Sequence, residues 1–387
     1  MKLKLSLFCL LTLSILGFSQ QNTLTENAVV SVLTFGPGTS LNDAFGHNAF
    51  RIKDNSQRID LVYGYGEYDF DAPNFYLKFA RGKLNYLISK HRFSDIFYHY
   101  SGHNRTIEEQ VLNFSIEEKQ RLFDFLENNY KPENRKYLYD FFYDNCATKI
   151  RDVSKIVTRN NVSFELPASI EQKTFRQLIY EHLDRNSWGS LGIDIALGSV
   201  IDREANPNEY MFLPKYIHEF FNAAKIGETN NLVKSSSTLF QKRHINASNT
   251  IFLSPFFILG LLAAVIIYIT YKDFKSNKRS KWLDISLFGI TGLIGTLLLL
   301  LWFATDHTAT GYNYNLLWAF PLNFILAYQL KNGTIKNWVK GFLKFLVILL
   351  CLMTLHWLIG VQVFAMPLIL LLIALFIRYI FLLKFFD

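Results

Sequence analysis

From residue 251 onward this chain is a succession of apolar runs, which a single water-soluble domain has no means of burying. A helix rises about 1.5 Å per residue, so about 20 apolar residues cross the roughly 30 Å of hydrocarbon in a bilayer. Stretches 251–271, 283–303, 341–359 and 364–383 meet that length. A fifth, 314–330, is shorter and is interrupted by Pro321 and Asn323, and it brings the expectation to about five transmembrane helices. The formal charge of +8 falls into place against these runs. Lys272, Lys275, Lys278, Arg279 and Lys281 follow the first run, Lys331, Lys336 and Lys340 follow the third, and Lys384 closes the last. The loops 304–313 and 360–363 carry no Lys or Arg. Such alternation is the positive-inside pattern and assigns the basic loops and the C-terminus to the cytoplasm; Lys242 and Arg243, just before the first run, oppose it. The positive surplus therefore reports orientation and gives no support to nucleic-acid binding. Charges within the runs are few, and Arg378 is expected to snorkel to the cytoplasmic side. With no buried carboxylate relay in view, transport is the weaker reading.

The first 19 residues fit a secretory signal peptide: Lys2 and Lys4, an apolar core over 5–16, then Gly17 and Ser19 as the small residues of a cleavage site. Residues 20–228 are then an exported domain, 229–250 a Ser-, Asn- and Lys-containing linker, and 251–387 the membrane domain. In the exported domain, 28–35 (AVVSVLTF) reads as a buried strand, and 48–52 with 59–65 as a hairpin. Ser115 and Glu118 form a capping box that starts a helix. A second helix begins near Cys146, with Asp144 or Asn145 as its N-cap and Ala147, Ile150, Val153 and Val157 on one face. Strands and helices in this order make an α+β domain.

Of three cysteines, Cys9 lies in the signal peptide and Cys351 in a span, so Cys146 has no intramolecular partner. At a helix N-terminus a thiolate gains from unpaired N–H groups and the helix dipole, and the same amides suit an oxyanion. Position alone leaves a reactive thiol and a small core residue as equal readings. His47, at the start of a strand, has the chemistry to take the thiol proton, and equally the place of an ordinary surface or core histidine. No His, Cys, Asp and Glu set has zinc spacing, and no cofactor is expected.

Three segments, FGHNAFRI (45–52), VYGYGEYDF (62–70) and YDFFYDNCATKIRD (139–152), resemble the N-terminal periplasmic domain of Lnb-type proteins, and DHTATGYNYNLLWAFPL (306–322) resembles their transmembrane region. The resemblance covers nearly the whole mature chain. It implies a permuted papain-like (LRAT-like) thiol domain in which the histidine strand precedes the cysteine helix. It further implies a bacterial inner-membrane acyltransferase of lipoprotein maturation, moving an acyl chain from the diacylglyceryl group to the lipoprotein's N-terminal amine through a thioester on Cys146. Diacylglyceryl-modified lipoproteins and membrane phospholipid are the partners so implied. For orienting His47 the candidates are Tyr63 and Asp60, and for the cysteine loop Asn145, which serves equally as a plain cap. Arg51, Asp69 and Arg105, with Arg151 and Asp152, are candidates for the lipid headgroup or for structural ion pairs. His307, Asn313 and Asn315 lie in an outer loop, either against substrate or, with Tyr312 and Tyr314, as interfacial anchors. The aromatic-rich stretch 63–79 is a candidate groove wall or ordinary sheet packing. The rival readings are a cell-envelope thiol peptidase or amidase acting on peptidoglycan, and a non-catalytic membrane-anchored binding protein.

Overall fold

The computed structural model describes residues 23–244, 251–331 and 336–386. The expected signal peptide, 1–19, lies outside the described residues. The exported part is built on strands β1 (Val29–Phe35), β2 (His47–Asp54), β3 (Ile59–Glu67), β4 (Asn85–Arg92), β5 (Ile107–Leu112) and β6 (Lys136–Leu138). Two-residue strands β7 (Val162–Ser163), β8 (Lys225–Ile226) and β9 (Asn230–Asn231) form a small second sheet, and β10 (Val233–Phe240) returns to the first. The large sheet has seven strands in the order β10-β5-β1-β2-β3-β4-β6, paired antiparallel throughout.

Between the strands run α1 (Phe75–Ala80), α2 (Phe93–Gly102), α3 (Ile116–Tyr130), α4 (Cys146–Val157), α5 (Phe175–Tyr180), α6 (Trp188–Ala196), α7 (Pro207–Tyr210) and α8 (Pro214–Ala223). One sheet face carries Val32, Phe50, Tyr63 and Tyr65, in one core with the apolar faces of α3, α4, α5 and α8. The other face carries Phe35, Ala49 and Val62 and is covered by Phe93, Ile96, Phe97 and Tyr100 of α2. Cover on both faces explains why β1 reads as a nearly continuous apolar run instead of an alternating one. The expected hairpin is present as β2–β3, turned by the Asp54 carboxylate, which accepts the N–H groups of Ser56 and Gln57. The Ser115–Glu118 capping box opens α3 as expected.

The stretch expected as a linker, 229–250, is in part sheet. Val233–Phe240 pairs with β5 as an edge strand. Its composition, VKSSSTLF, is that of a polar edge left facing solvent, and such an edge is hard to tell from a linker by composition.

Among the described residues four helices are long and apolar enough to cross a bilayer: α9 (Pro255–Ser276), α10 (Lys281–Phe303), α12 (Trp338–Leu358) and α13 (Leu368–Phe385). The expected span at 314–330 is not a continuous helix. It has a 3-10 turn at Tyr314–Leu317, a break at Pro321, and a nine-residue helix, α11 (Asn323–Lys331). Its ends nevertheless lie at opposite ends of the bundle: Tyr314 N–H donates to Gln362, and the Leu330 carbonyl accepts from Arg279. Irregular backbone at this depth survives only where protein surrounds it. Gly295 supplies the room, since a Cβ there would overlap the Ala319 carbonyl. Asn323 donates to Thr291 at 2.8 Å.

Arg378 does not snorkel. It is fully buried, 2.7 Å from Asp284 and 2.8 Å from Asp273, with Arg279 also 3.4 Å from Asp284. The two carboxylates flank the first basic loop on adjacent helices, so the guanidinium finds partners inside the bundle. Removing one side of such a buried set costs about 3–5 kcal/mol. Arg378→Leu is expected to lower the thermal unfolding midpoint of the detergent-solubilised protein sharply, with Arg378→Lys retaining part of it. An unchanged midpoint for Arg378→Leu would show that the network does not stabilise the bundle.

Candidate active site

Cys146 is the first residue of α4, and its position is fixed by the residue before it. The Asn145 side-chain oxygen accepts the N–H groups of Ala147 (2.8 Å) and Thr148 (2.9 Å), while the Thr148 hydroxyl accepts the Asn145 N–H (2.8 Å). The Asn145 amide nitrogen donates to the carbonyls of Phe141 (2.6 Å) and Phe212 (2.8 Å). One buried amide thus caps the helix and ties the cysteine loop to the segment before α8. Behind it, Ala147, Ile150, Val153 and Val157 seat the helix on the sheet, as the spacing predicts.

Cys146 is partly exposed as a residue, while its thiol is buried and meets the backbone N–H groups of Asn48, Ala147 and Cys146 itself. Asn48 is free to do this because the β2–β3 ladder stops at the Ala49–Gly64 pair. His47, next to it on β2, lies on the α2 side of the sheet, its ring 6.1 Å from Phe35 and 6.5 Å from Tyr100, centroid to centroid, and stacked with both. The imidazole reaches over Gly64, where a Cβ would stand 3.2 Å from Nε2. Tyr100, Tyr137 and Tyr139 lie within electrostatic range of Cys146.

The electrostatics differ from the expected thiolate. Burial pushes the thiol up to about 11, outweighing the three N–H groups and the Arg105 guanidinium, which pull it down. Burial also lowers His47 to about 4, and the Arg105 charge acts in the same direction. A helix N-terminus contributes partial charges over one turn, whereas desolvation acts on the whole ion. At rest both groups therefore favour their neutral forms, and the Arg105 guanidinium acts on each of them.

Arg105 is the expected substrate contact that does sit here. It is buried, its Nε donates to the Gly36 carbonyl at 2.8 Å, and it lies over the Tyr100 ring. Its Nη2 is sealed from solvent and has no hydrogen-bond partner among the described residues.

The other candidates are elsewhere. Tyr63 points to the opposite sheet face and donates to Glu127, so it does not orient His47. Asp60 and Arg51 hold each other in a two-point ion pair, at 2.7 and 2.8 Å, with Glu109 and the Phe93 ring also on Arg51; that guanidinium is structural. Arg151 and Asp152 pair likewise. Asp69 is exposed and accepts the Asp71 N–H in the loop before α1. His307 contacts the Ala80 carbonyl at 3.2 Å, joining the membrane loop to the end of α1. Asn315 is fully buried, its amide spent on the carbonyls of Asp194 and Ile195 and on Asn313, and it accepts from Trp318. With Asn313, it docks the end of α6 onto the membrane domain and leaves nothing for substrate. The sequence reading missed the Asn48 amide, Tyr100 and Tyr139. A glycine inside a strand, as at Gly64, is the available sign of a close approach.

With a thiol near 11 in place of an ordinary 9, the thiolate fraction at pH 8 falls about 100-fold. Iodoacetamide is expected to alkylate Cys146 of the resting protein more slowly than a free cysteine at pH 8, with the rate still climbing above pH 10. A rate plateau below pH 8 would instead establish a preformed ion pair.

Comparison with known protein families places both halves of the chain. Residues 19–180 match the Lnb N-terminal periplasmic domain, and residues 246–386 match the Lnb transmembrane domain. No curated protein and no solved structure matches the chain. The two matches follow each other in the order of the exported sheet and the helical bundle, and the chain belongs to the Lnb family.

Proposed function

We propose that the protein is a lipoprotein acyltransferase of the bacterial inner membrane, with the thiol domain periplasmic and the C-terminus cytoplasmic. The observation that carries the mechanism is Cys146 at a capped helix N-terminus, its sulfur met by the backbone N–H of Asn48, the residue that follows the histidine opening β2. Family membership supports a lipoprotein-processing membrane protein. The order of histidine strand and cysteine helix supports a permuted papain-like arrangement. The basic loops at the bundle end away from the thiol domain support the orientation.

In the first step the Cys146 sulfur attacks an ester carbonyl of the diacylglyceryl group. The C–S bond forms as the thiol proton passes to His47; the imidazolium then protonates the glycerol oxygen as the C–O bond breaks. In the second step the lipoprotein's α-amine attacks the thioester. His47 takes the amine proton and returns it to sulfur as the C–S bond breaks, giving an N-acyl lyso-form. Charge on the carbonyl oxygen in both steps is met by the Cys146 N–H and by the free Nη2 of Arg105. Donors of this kind are worth about 10²–10³ in rate each. Aromatic walls limit water, the competing acceptor of the acyl group.

Cys146→Ala is expected to abolish conversion of a diacylated lipoprotein to its N-acyl lyso-form, read by mass spectrometry of the N-terminal peptide, with expression unchanged. Continued conversion rejects the mechanism. His47 must be neutral to accept a proton, so kcat/KM falls as pH drops through about 4, not through the usual 6.5. In Arg105→Gln the charge that lowers His47 is gone, so the acid limb moves to higher pH while kcat falls about 10²-fold. An acid limb unmoved by this substitution removes Arg105 from the site.

A further inference from the structure

Between β3 and β4 the chain leaves the sheet and exposes a cluster of large apolar side chains. Phe70 is 67 % exposed, Tyr76 81 %, Leu77 58 % and Phe79 53 %. These rings are packed against one another: Phe70 on Phe75 at 5.0 Å, Phe75 on Tyr76 at 5.3 Å, and Phe75 stacked on Phe79 at 6.4 Å. Four exposed apolar side chains within ten residues form a patch, and a patch marks a contact surface.

The far end of the patch is bound to the membrane domain. Asp306 N–H donates to the Arg81 carbonyl at 2.9 Å, Lys83 lies 3.5 Å from the Asp306 carboxylate, and His307 meets the Ala80 carbonyl. Asp306 is three residues beyond the end of α10 at Phe303, so it lies within about 11 Å of that helix end. The headgroup layer is itself about 5–8 Å deep on each side. The patch therefore stands at headgroup height, with Lys78 and Arg81 beside its rings. Aromatic rings flanked by Lys and Arg are the usual composition of a membrane interface.

The near end leads to the cysteine loop. Tyr68 touches Phe70 (4.9 Å) and Phe75 (5.8 Å), Tyr68 touches Tyr86 (5.3 Å), and Tyr86 stacks on Tyr139 (4.3 Å). A continuous file of rings runs from the exposed patch to Tyr139, in the loop that leads into Cys146.

We propose that α1 and its flanking loops dip into the outer leaflet and that the aromatic file is the path by which an acyl chain passes from the bilayer to Cys146. The occupant of the patch is the leaflet itself. What passes along the file rests on the acyl-transfer reading, whereas contact with lipid does not, and the experiment separates them. A photoreactive benzophenone amino acid replaces Tyr76 in the full-length Cys146→Ala protein, in proteoliposomes of phosphatidylethanolamine and phosphatidylglycerol with tritiated acyl chains. The control position is Ile156, exposed at the far end of α4. Irradiation is expected to attach labelled lipid at 76 and to leave 156 at background. Equal labelling of the two, or a covalent protein dimer through 76, overturns the proposal, since a second copy would then be the occupant. In the catalytically intact protein, Phe70→Ser/Tyr76→Ser/Phe79→Ser is expected to raise KM for a diacylated lipopeptide in vesicles about tenfold at constant kcat. Unchanged KM and kcat overturn the path. If Cys146→Ala proves fully active, the acyl-transfer reading fails while labelling at 76 still stands or falls by itself.

Discussion

One buried amide decides where the sulfur can be. Asn145 caps α4 with its oxygen and holds the Phe141 and Phe212 carbonyls with its nitrogen, so helix, cysteine loop and α8 approach share a single anchor. The donors of a helix N-terminus are useful to chemistry only when they are stationary. Here the cap holds the Ala147 and Thr148 N–H groups, and the Asn48, Ala147 and Cys146 N–H groups meet the thiol. His47 precedes Asn48 on β2, the strand against which α4 is packed, with its ring on the other face beside Phe35 and Tyr100.

Burial of Cys146 and His47 has an electrostatic consequence. Both groups lose their charged forms to burial, the thiol moving up and the imidazole down. Proton transfer from one to the other is uphill at rest. Arg105 fits the same logic, since burial first and the Arg105 charge second lower His47.

Much of this was legible in the sequence, and the failures have definite causes. Alternation and length placed β1, the β2–β3 hairpin, and the faces of α3 and α4, because local periodicity determines them. Asn145–Cys146 was legible as a cap followed by a thiol. The thiol's raised pKa was not, because desolvation depends on what the rest of the chain lays over the sulfur. Tyr63 was placed beside His47 on strand adjacency alone. Its partner across the sheet is Phe50, on the face away from His47, and only the register reveals that. Asn315 stood out as a polar residue in an outer loop, yet its bonds go to the end of α6, an element with no sequence proximity to it. The polar edge strand β10 passed for a linker because an edge strand needs only one partner.

The docking of the two domains completes the functional argument. Loop 304–313 bonds to three separate parts of the exported domain: Arg81 through Asp306, Asp140 through Thr308, and the Gly198–Ser199 turn through Ala309 and Tyr312. Asp140 begins the turn that ends at Cys146, bridging to Asp144 on the way. The membrane loop thus grips both the aromatic patch and the cysteine loop, fixing their heights relative to each other and to the end of α10. An ester bond of a membrane-anchored lipid lies near the headgroup boundary and moves mainly in the plane. A thiol tethered at a set height over that plane need search in only two dimensions, and rigidity of the tether becomes part of recognition. The membrane domain thereby holds a fixed distance to the cysteine loop, and the buried charge set around Arg378 keeps the far end of the same helices in register.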